Sequence, residues 1–177
     1  RAFYRADGVD LGELRTMTDR FGGIDAKKAA DAGYRVLPGD DWMKQDVDIL
    51  IPAALENAID DSGAGSVSGR VKLIVEGSNG PTTPEADAVL NGKGIKVIPD
   101  FLANAGGVTC SYFEQVQCNM NYFWTREEVL GKLDDKMTRA FYGVWELARK
   151  KGIPLRDAAY MISVSRVAEA CRLRGWV

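Results

Sequence analysis

Histidine is absent from the 177 residues of this chain. Its absence removes Ser-His-Asp and Cys-His nucleophile chemistry and takes away the commonest zinc ligand. Cysteine is scarce. Cys110, Cys118 and Cys171 are an odd number without metal-ligand spacing, so they read as reduced, partly buried thiols of an intracellular protein, and no metal is expected. No apolar run is long enough to cross a bilayer, and no charged, apolar, small-residue leader opens the chain. An excess of either charge is missing too. With 23 Lys and Arg against 25 Asp and Glu, the net charge is -2, which offers neither nucleic acid nor an anionic membrane a reason to bind. There is no internal repeat and no low-complexity tract. The first residue is Arg1 rather than Met, and the expectation is a piece of a longer protein.

What is present is an ordinary globular composition, 46% hydrophobic and 27% charged, enough to bury one good core. Three segments read as buried parallel strands: Val47–Pro52, Val71–Glu76 and Ile95–Pro99. They are short and β-branched rather than alternating, as expected where both faces of a sheet are covered. Helical segments lie between them. Leu11–Arg20 reads as a helix before the first strand, and Glu56–Asp61 as the start of a short one after it. Thr83-Pro84-Glu85 is a strong start signal for a helix that the glycines near Asn91-Gly92 should stop. From there the chain is helical. Thr125-Arg126-Glu127-Glu128 fits a capping box, and Val129, Leu133, Met137, Phe141, Val144 and Ala148 share one face. Gly152 and Pro154 break that helix. A last helix sets Leu155, Ala158, Ala159, Ile162, Val167 and Cys171 toward the core. The expected fold is α/β, a partial doubly wound (Rossmann-like) parallel sheet with a C-terminal helical tail; residues 1–120 carry the sheet and 121–177 the tail.

In such sheets ligands bind outside the carboxyl ends of the strands. Those ends carry Ala53-Ala54, then Gly77-Ser78-Asn79-Gly80, then Asp100 through Asn104-Ala105-Gly106-Gly107. Small and amide-bearing residues suit close approach by a flat, hydrogen-bonding ligand. Each has a plainer reading: a turn at Asn79-Gly80-Pro81, close helix packing at Gly106-Gly107, a helix cap at Asn104. If a helix starts at Asn104, Val108 and Ser111 share its face and Asn104 lies about 10 Å from Ser111 along it. The competing reading of Ser111 is a hydroxyl in ordinary solvent. Gly63-Ala64-Gly65-Ser66-Val67-Ser68-Gly69 imitates a dinucleotide fingerprint. It leads into a strand rather than from a strand into a helix, so the expectation there is a flexible surface loop.

Four stretches carry a family likeness: PAALENAI (Pro52–Ile59), EGSNGPTTPEAD (Glu76–Asp87), VIPDFLANAGGVTCSYFE (Val97–Glu114) and RDAAYMISVSRVAEACRLRGW (Arg156–Trp176). Together they resemble the glutamate dehydrogenases of the Glu/Leu/Phe/Val dehydrogenase family, over the back half of the cofactor domain and the C-terminal helices. The resemblance implies NAD or NADP as cofactor, L-glutamate, 2-oxoglutarate and ammonia as reactants, and a homo-oligomer, commonly a hexamer in this family. It implies that Asn79, Ala53 and Ala54 lie along the nicotinamide-ribose end, with Gly77 and Gly106 among the cofactor contacts. Asn104 would lie beside nicotinamide and substrate. Ser111 would bond the substrate's side-chain carboxylate, with Val108 packed beside it. A hydroxyl there suits glutamate better than an apolar side chain, because it can donate to a buried carboxylate. The chain departs from the family at Ser78, Cys110 and Gln115, where Ala, Val and Trp are commoner. The family's Gly-rich phosphate loop, catalytic lysine and catalytic aspartate precede the matched region, so no catalytic residue is expected here. A cytoplasmic setting is expected, or the mitochondrial matrix in a eukaryote. The alternative is a non-catalytic remnant of the fold that binds a nucleotide or another protein.

Overall fold

The computed structural model describes residues 1–176. The chain begins with a unit that the sequence reading largely missed. Strand β1 (Ala2–Tyr4) pairs antiparallel with β2 (Arg35–Leu37), and α1 (Leu11–Thr16) and α2 (Ala26–Asp31) lie between them in sequence. Asp10 and Asp25 cap the two helices by accepting their first backbone N–H groups. Met17, Ala29 and Tyr34 form a small core under them. The helix expected to reach Arg20 stops at Thr16. Beyond it the Asp19 carboxylate accepts from the N–H groups of Phe21 and Gly23, a local turn that outcompetes another helical turn.

After a 3-10 turn at Gly39–Lys44 come β3 (Ile49–Leu50), α3 (Asp61–Ser66), β4 (Leu73–Val75), α4 (Pro84–Gly92) and β5 (Lys96–Ile98). The three strands lie side by side in the order β3-β4-β5, all parallel, inside the segments expected from sequence. Leu50, Ile74 and Val97 are in register and point to one face, where they pack with Ile59, Ala86 and Leu90. Ile98, one residue along, packs on the other face with Leu102, Val144, Leu155 and Ala158. At β5 both faces are therefore covered, as its apolar run implies. At β3 only Leu50 is buried; Ile49 and Ile51, on the opposite face, are exposed, because no described element packs over that side of the edge strand, which differs from the buried strand expected there. Ile74 and Leu90 are fully buried, and each contributes about 1.5–3 kcal/mol of burial.

Two connections differ from expectation. Glu56–Asp61 does not begin a helix: Asn57 takes a left-handed φ of 54°, Ile59 bridges Thr82 in parallel, and α3 starts at Asp61 with Asp60 as its cap. The glycine run from Gly63 is no loose surface loop. Most of it is α3, with Gly63 and Ala64 buried. A methyl on Gly63 would meet the Met43 sulfur at 3.0 Å, so glycine there permits close packing. Lys93 Nζ donates to the carbonyls of Ala64, Gly65 and Val67, closing the end of the helix.

The rest is helical: α5 (Asp100–Ala103), α6 (Gly106–Met120), α7 (Arg126–Lys151) and α8 (Leu155–Leu173). Thr83 and Pro84 open α4, and Thr125 with Glu128 forms a reciprocal capping box on α7, as expected. Gly152, at φ 66°, ends α7, and its apolar stripe faces inward with Val144 and Ala148 buried. In α8 only the first half is covered. Leu155, Ala158 and Ala159 are buried, but Val167 is 65% exposed, because no described element packs over that half of the helix.

Candidate functional site

The carboxyl ends of the three strands converge. Where β4 leaves the sheet, the N–H groups of Gly77 and Ser78 both donate to the Pro52 carbonyl at 3.0 Å, pulling this exit against that of β3. Only small residues allow it: a methyl on Gly77 would lie 3.0 Å from the Ala53 methyl. Ala53 and Gly77 make a shallow, exposed floor, and Ala54 follows, also exposed. The Asn79-Gly80-Pro81 stretch is more than a turn. Asn57 and Ile59 donate to the Gly80 and Pro81 carbonyls at 2.8 Å, and Gly80 N–H donates to Asp100 Oδ2 at 2.8 Å.

Asn104 closes α5 rather than opening a helix, since its N–H donates to the Asp100 carbonyl and α6 begins two residues later. The helical spacing from Asn104 to Ser111 therefore does not apply. Instead Asn104 Nδ2 donates to Asn79 Oδ1 at 2.8 Å, joining the two Asn- and Gly-rich motifs. Among the described residues this leaves the Asn79 Nδ2 donor and the Asn104 Oδ1 acceptor without partners. Such a pair complements a ligand group that both donates and accepts, such as a carboxamide or a sugar hydroxyl.

Gly106 opens α6, with the Leu133 side chain 3.9 Å from where its Cβ would be. Only Phe113 of α6 is buried. Val108 (69% exposed) and Ser111 lie one turn apart on the outer face, with Gln115 a turn beyond. No hydrogen bond among the described residues links Ser111 to the amide pair. The groups gathered here are amides, small residues and one hydroxyl. They can bind and orient, but they do not move protons.

Behind the cleft lies a charged cluster to which the sequence reading gave no role. Glu76 is fully buried at the end of β4. Its Oε2 accepts the Asp100 N–H at 2.8 Å, and its Oε1 accepts Arg156 Nη2 at 2.7 Å. The same guanidinium reaches Asp87 Oδ1 at 3.3 Å and Asp100 Oδ1 at 3.8 Å. Burial opposes the charge on Arg156, yet Glu76 and then Asp87 outweigh it and raise its pKa further. Two sequence signals pointed here. Glu76 continues the inward parity of Ile74, two residues earlier. Arg156 sits in the first turn of α8, where the helix dipole disfavours a cation, so a carboxylate partner elsewhere was implied.

The sequence profile of the Glutamate/Leucine/Phenylalanine/Valine dehydrogenase family matches residues 2–175. An NAD-specific glutamate dehydrogenase of Staphylococcus aureus (strain COL) is 41% identical over 175 residues, 99% of this chain and 41% of the relative. The chain thus spans about two fifths of the length of the curated relatives it matches. Among solved structures, a hetero-hexameric glutamate dehydrogenase of Thermus thermophilus is similar at a TM-score of 0.84 and 32% identity, over 97% of this chain and 39% of that one. A glutamate dehydrogenase of Peptoniphilus asaccharolyticus is 44% identical at a TM-score of 0.67, over 72% of this chain and 32% of that one.

Proposed function

The chain belongs to the Glutamate/Leucine/Phenylalanine/Valine dehydrogenase family, and from that premise we propose that it forms part of an NAD(P)-dependent glutamate dehydrogenase. The reaction is the reversible oxidative deamination of L-glutamate to 2-oxoglutarate and ammonia. The observation that carries this reading is the Asn79–Asn104 amide pair, two residues on from the close Ala53–Gly77 contact at the strand ends. Its free donor and acceptor fit the nicotinamide-ribose end of a dinucleotide, and the floor admits a flat ring. The bound cofactor supplies the hydride acceptor. This chain's residues hold that end and orient the substrate. Ser111 donates to the glutamate side-chain carboxylate and Val108 packs beside it. The relative named NAD-specific makes NAD the first cofactor to test. The relative described as hetero-hexameric supports an oligomer.

The test is kinetic, in the complete enzyme. Ser111→Ala removes one hydrogen bond to a charged group, about 1.5–3 kcal/mol. The KM for glutamate should rise roughly tenfold to a hundredfold, with the cofactor constant little changed. An unaltered glutamate KM would show that Ser111 does not meet the carboxylate.

A further inference from the structure

Arg156 makes no contact with Asn79 or Asn104, yet Gly80 and Asn104 are each tied to it through a chain of three hydrogen bonds. It binds Glu76, and Glu76 accepts the N–H of Asp100, the first residue of α5. Asp100 in turn accepts the N–H of Gly80, next to Asn79, and its backbone carbonyl accepts the N–H of Asn104. Of the two residues whose side-chain amides meet at 2.8 Å, Asn104 thus bonds Asp100 directly through its backbone and Asn79 adjoins Gly80, which does. The ion cluster is also unbalanced. Three carboxylates, Glu76, Asp87 and Asp100, share one guanidinium. Without the cation they would repel one another and spread, and Glu76, being fully buried, has no water to turn to. The forked, planar guanidinium lets Arg156 reach carboxylates just past β4, on α4 and on α5 together, which an ammonium does less well.

We propose that Arg156 is a positioning residue for cofactor binding: through Glu76 and Asp100 it fixes the spacing between the Gly77–Gly80 loop and Asn104. The proposal rests on the dehydrogenase reading above and adds a residue from α8, distant in sequence, to that site. A small displacement of binding groups costs on the order of tenfold to a hundredfold, so the effect is measurable even in a folded variant.

The experiment is fluorescence titration of the complete enzyme with reduced nicotinamide cofactor, beside steady-state constants and melting temperature. Arg156→Lys should weaken cofactor binding about tenfold and raise the cofactor KM more than the glutamate KM. Asp100→Ala, which leaves the Arg156–Glu76 pair intact, should do the same. Asp100→Asn keeps an oxygen for Gly80 N–H and should recover most of the affinity. A purely structural role would lower the melting temperature and leave the affinity of the folded enzyme unchanged. Wild-type affinity in Asp100→Ala overturns the proposal, even if Arg156→Lys does not fold. Asn79→Ala separates the two levels. If it weakens cofactor binding while Asp100→Ala does not, the positioning role alone fails. If neither changes affinity, the cofactor reading fails with it.

Discussion

At the scale of single residues, the cleft depends on atoms that are missing as much as on those present. Gly77 has no side chain because the Ala53 methyl occupies the nearby space. Gly77→Ala forces one exit loop off the other and should destabilise the protein by about 1 kcal/mol, while lowering cofactor affinity. Thermal melting and fluorescence titration would measure both, and a compensating Ala53→Gly should restore them. A variant that keeps wild-type stability and affinity would show that the two exits need not touch. The same scale explains what was legible. Each of Asn79, Asn104 and the small residues had a plainer local reading, and they could be picked out only because they recur at three successive strand ends. The hydrogen bond between the two asparagines could not, because it joins motifs 25 residues apart and depends on where α5 ends.

At the scale of elements, legibility followed the strength of local chemistry. Thr83-Pro84 and the Thr125–Glu128 box announce helix starts by themselves, and α4 and α7 begin there. Strands β1 and β2 have three residues each, too few to show a period, and α2 is under two turns. The glycines of α3 argued for a loop, but the burial against Met43 and the Lys93 contacts that make it a helix come from elsewhere in the chain. The capping box is testable. Thr125→Ala should cost about 1 kcal/mol. Backbone and then hydroxyl bonds from Thr125 hold the Glu128 carboxyl below its usual titration range. A lowered folded pKa means the Glu128 contribution is present above the ordinary carboxylate range and is lost as pH falls through the lowered value. The penalty of Thr125→Ala should therefore be largest near neutrality and shrink in acid. Melting curves across pH would check this; because Thr125→Ala keeps the backbone N–H bond to Glu128, a pH-independent penalty would show that the hydroxyl bond to the carboxylate contributes nothing.

At the scale of the whole molecule, the charge cluster around Arg156 connects what sequence reading treated as separate. The strand-end loop and the C-terminal helices looked like a site and a tail, yet one guanidinium from α8 joins the exit of β4, α4 and α5. A different consequence follows from β3. It stands at one edge of the sheet, and Ile49 and Ile51 are 52% and 62% exposed. An open strand edge with apolar flanks is a template for another strand, from whichever chain supplies it first. The 177-residue polypeptide on its own should therefore self-associate in a concentration-dependent way, seen by light scattering, and Ile51→Lys should suppress it. A monodisperse monomer at high concentration would contradict this. Proteins guard such edges by covering them, so whatever covers the free edge of β3 sets how soon in folding this sheet is safe from its own copies.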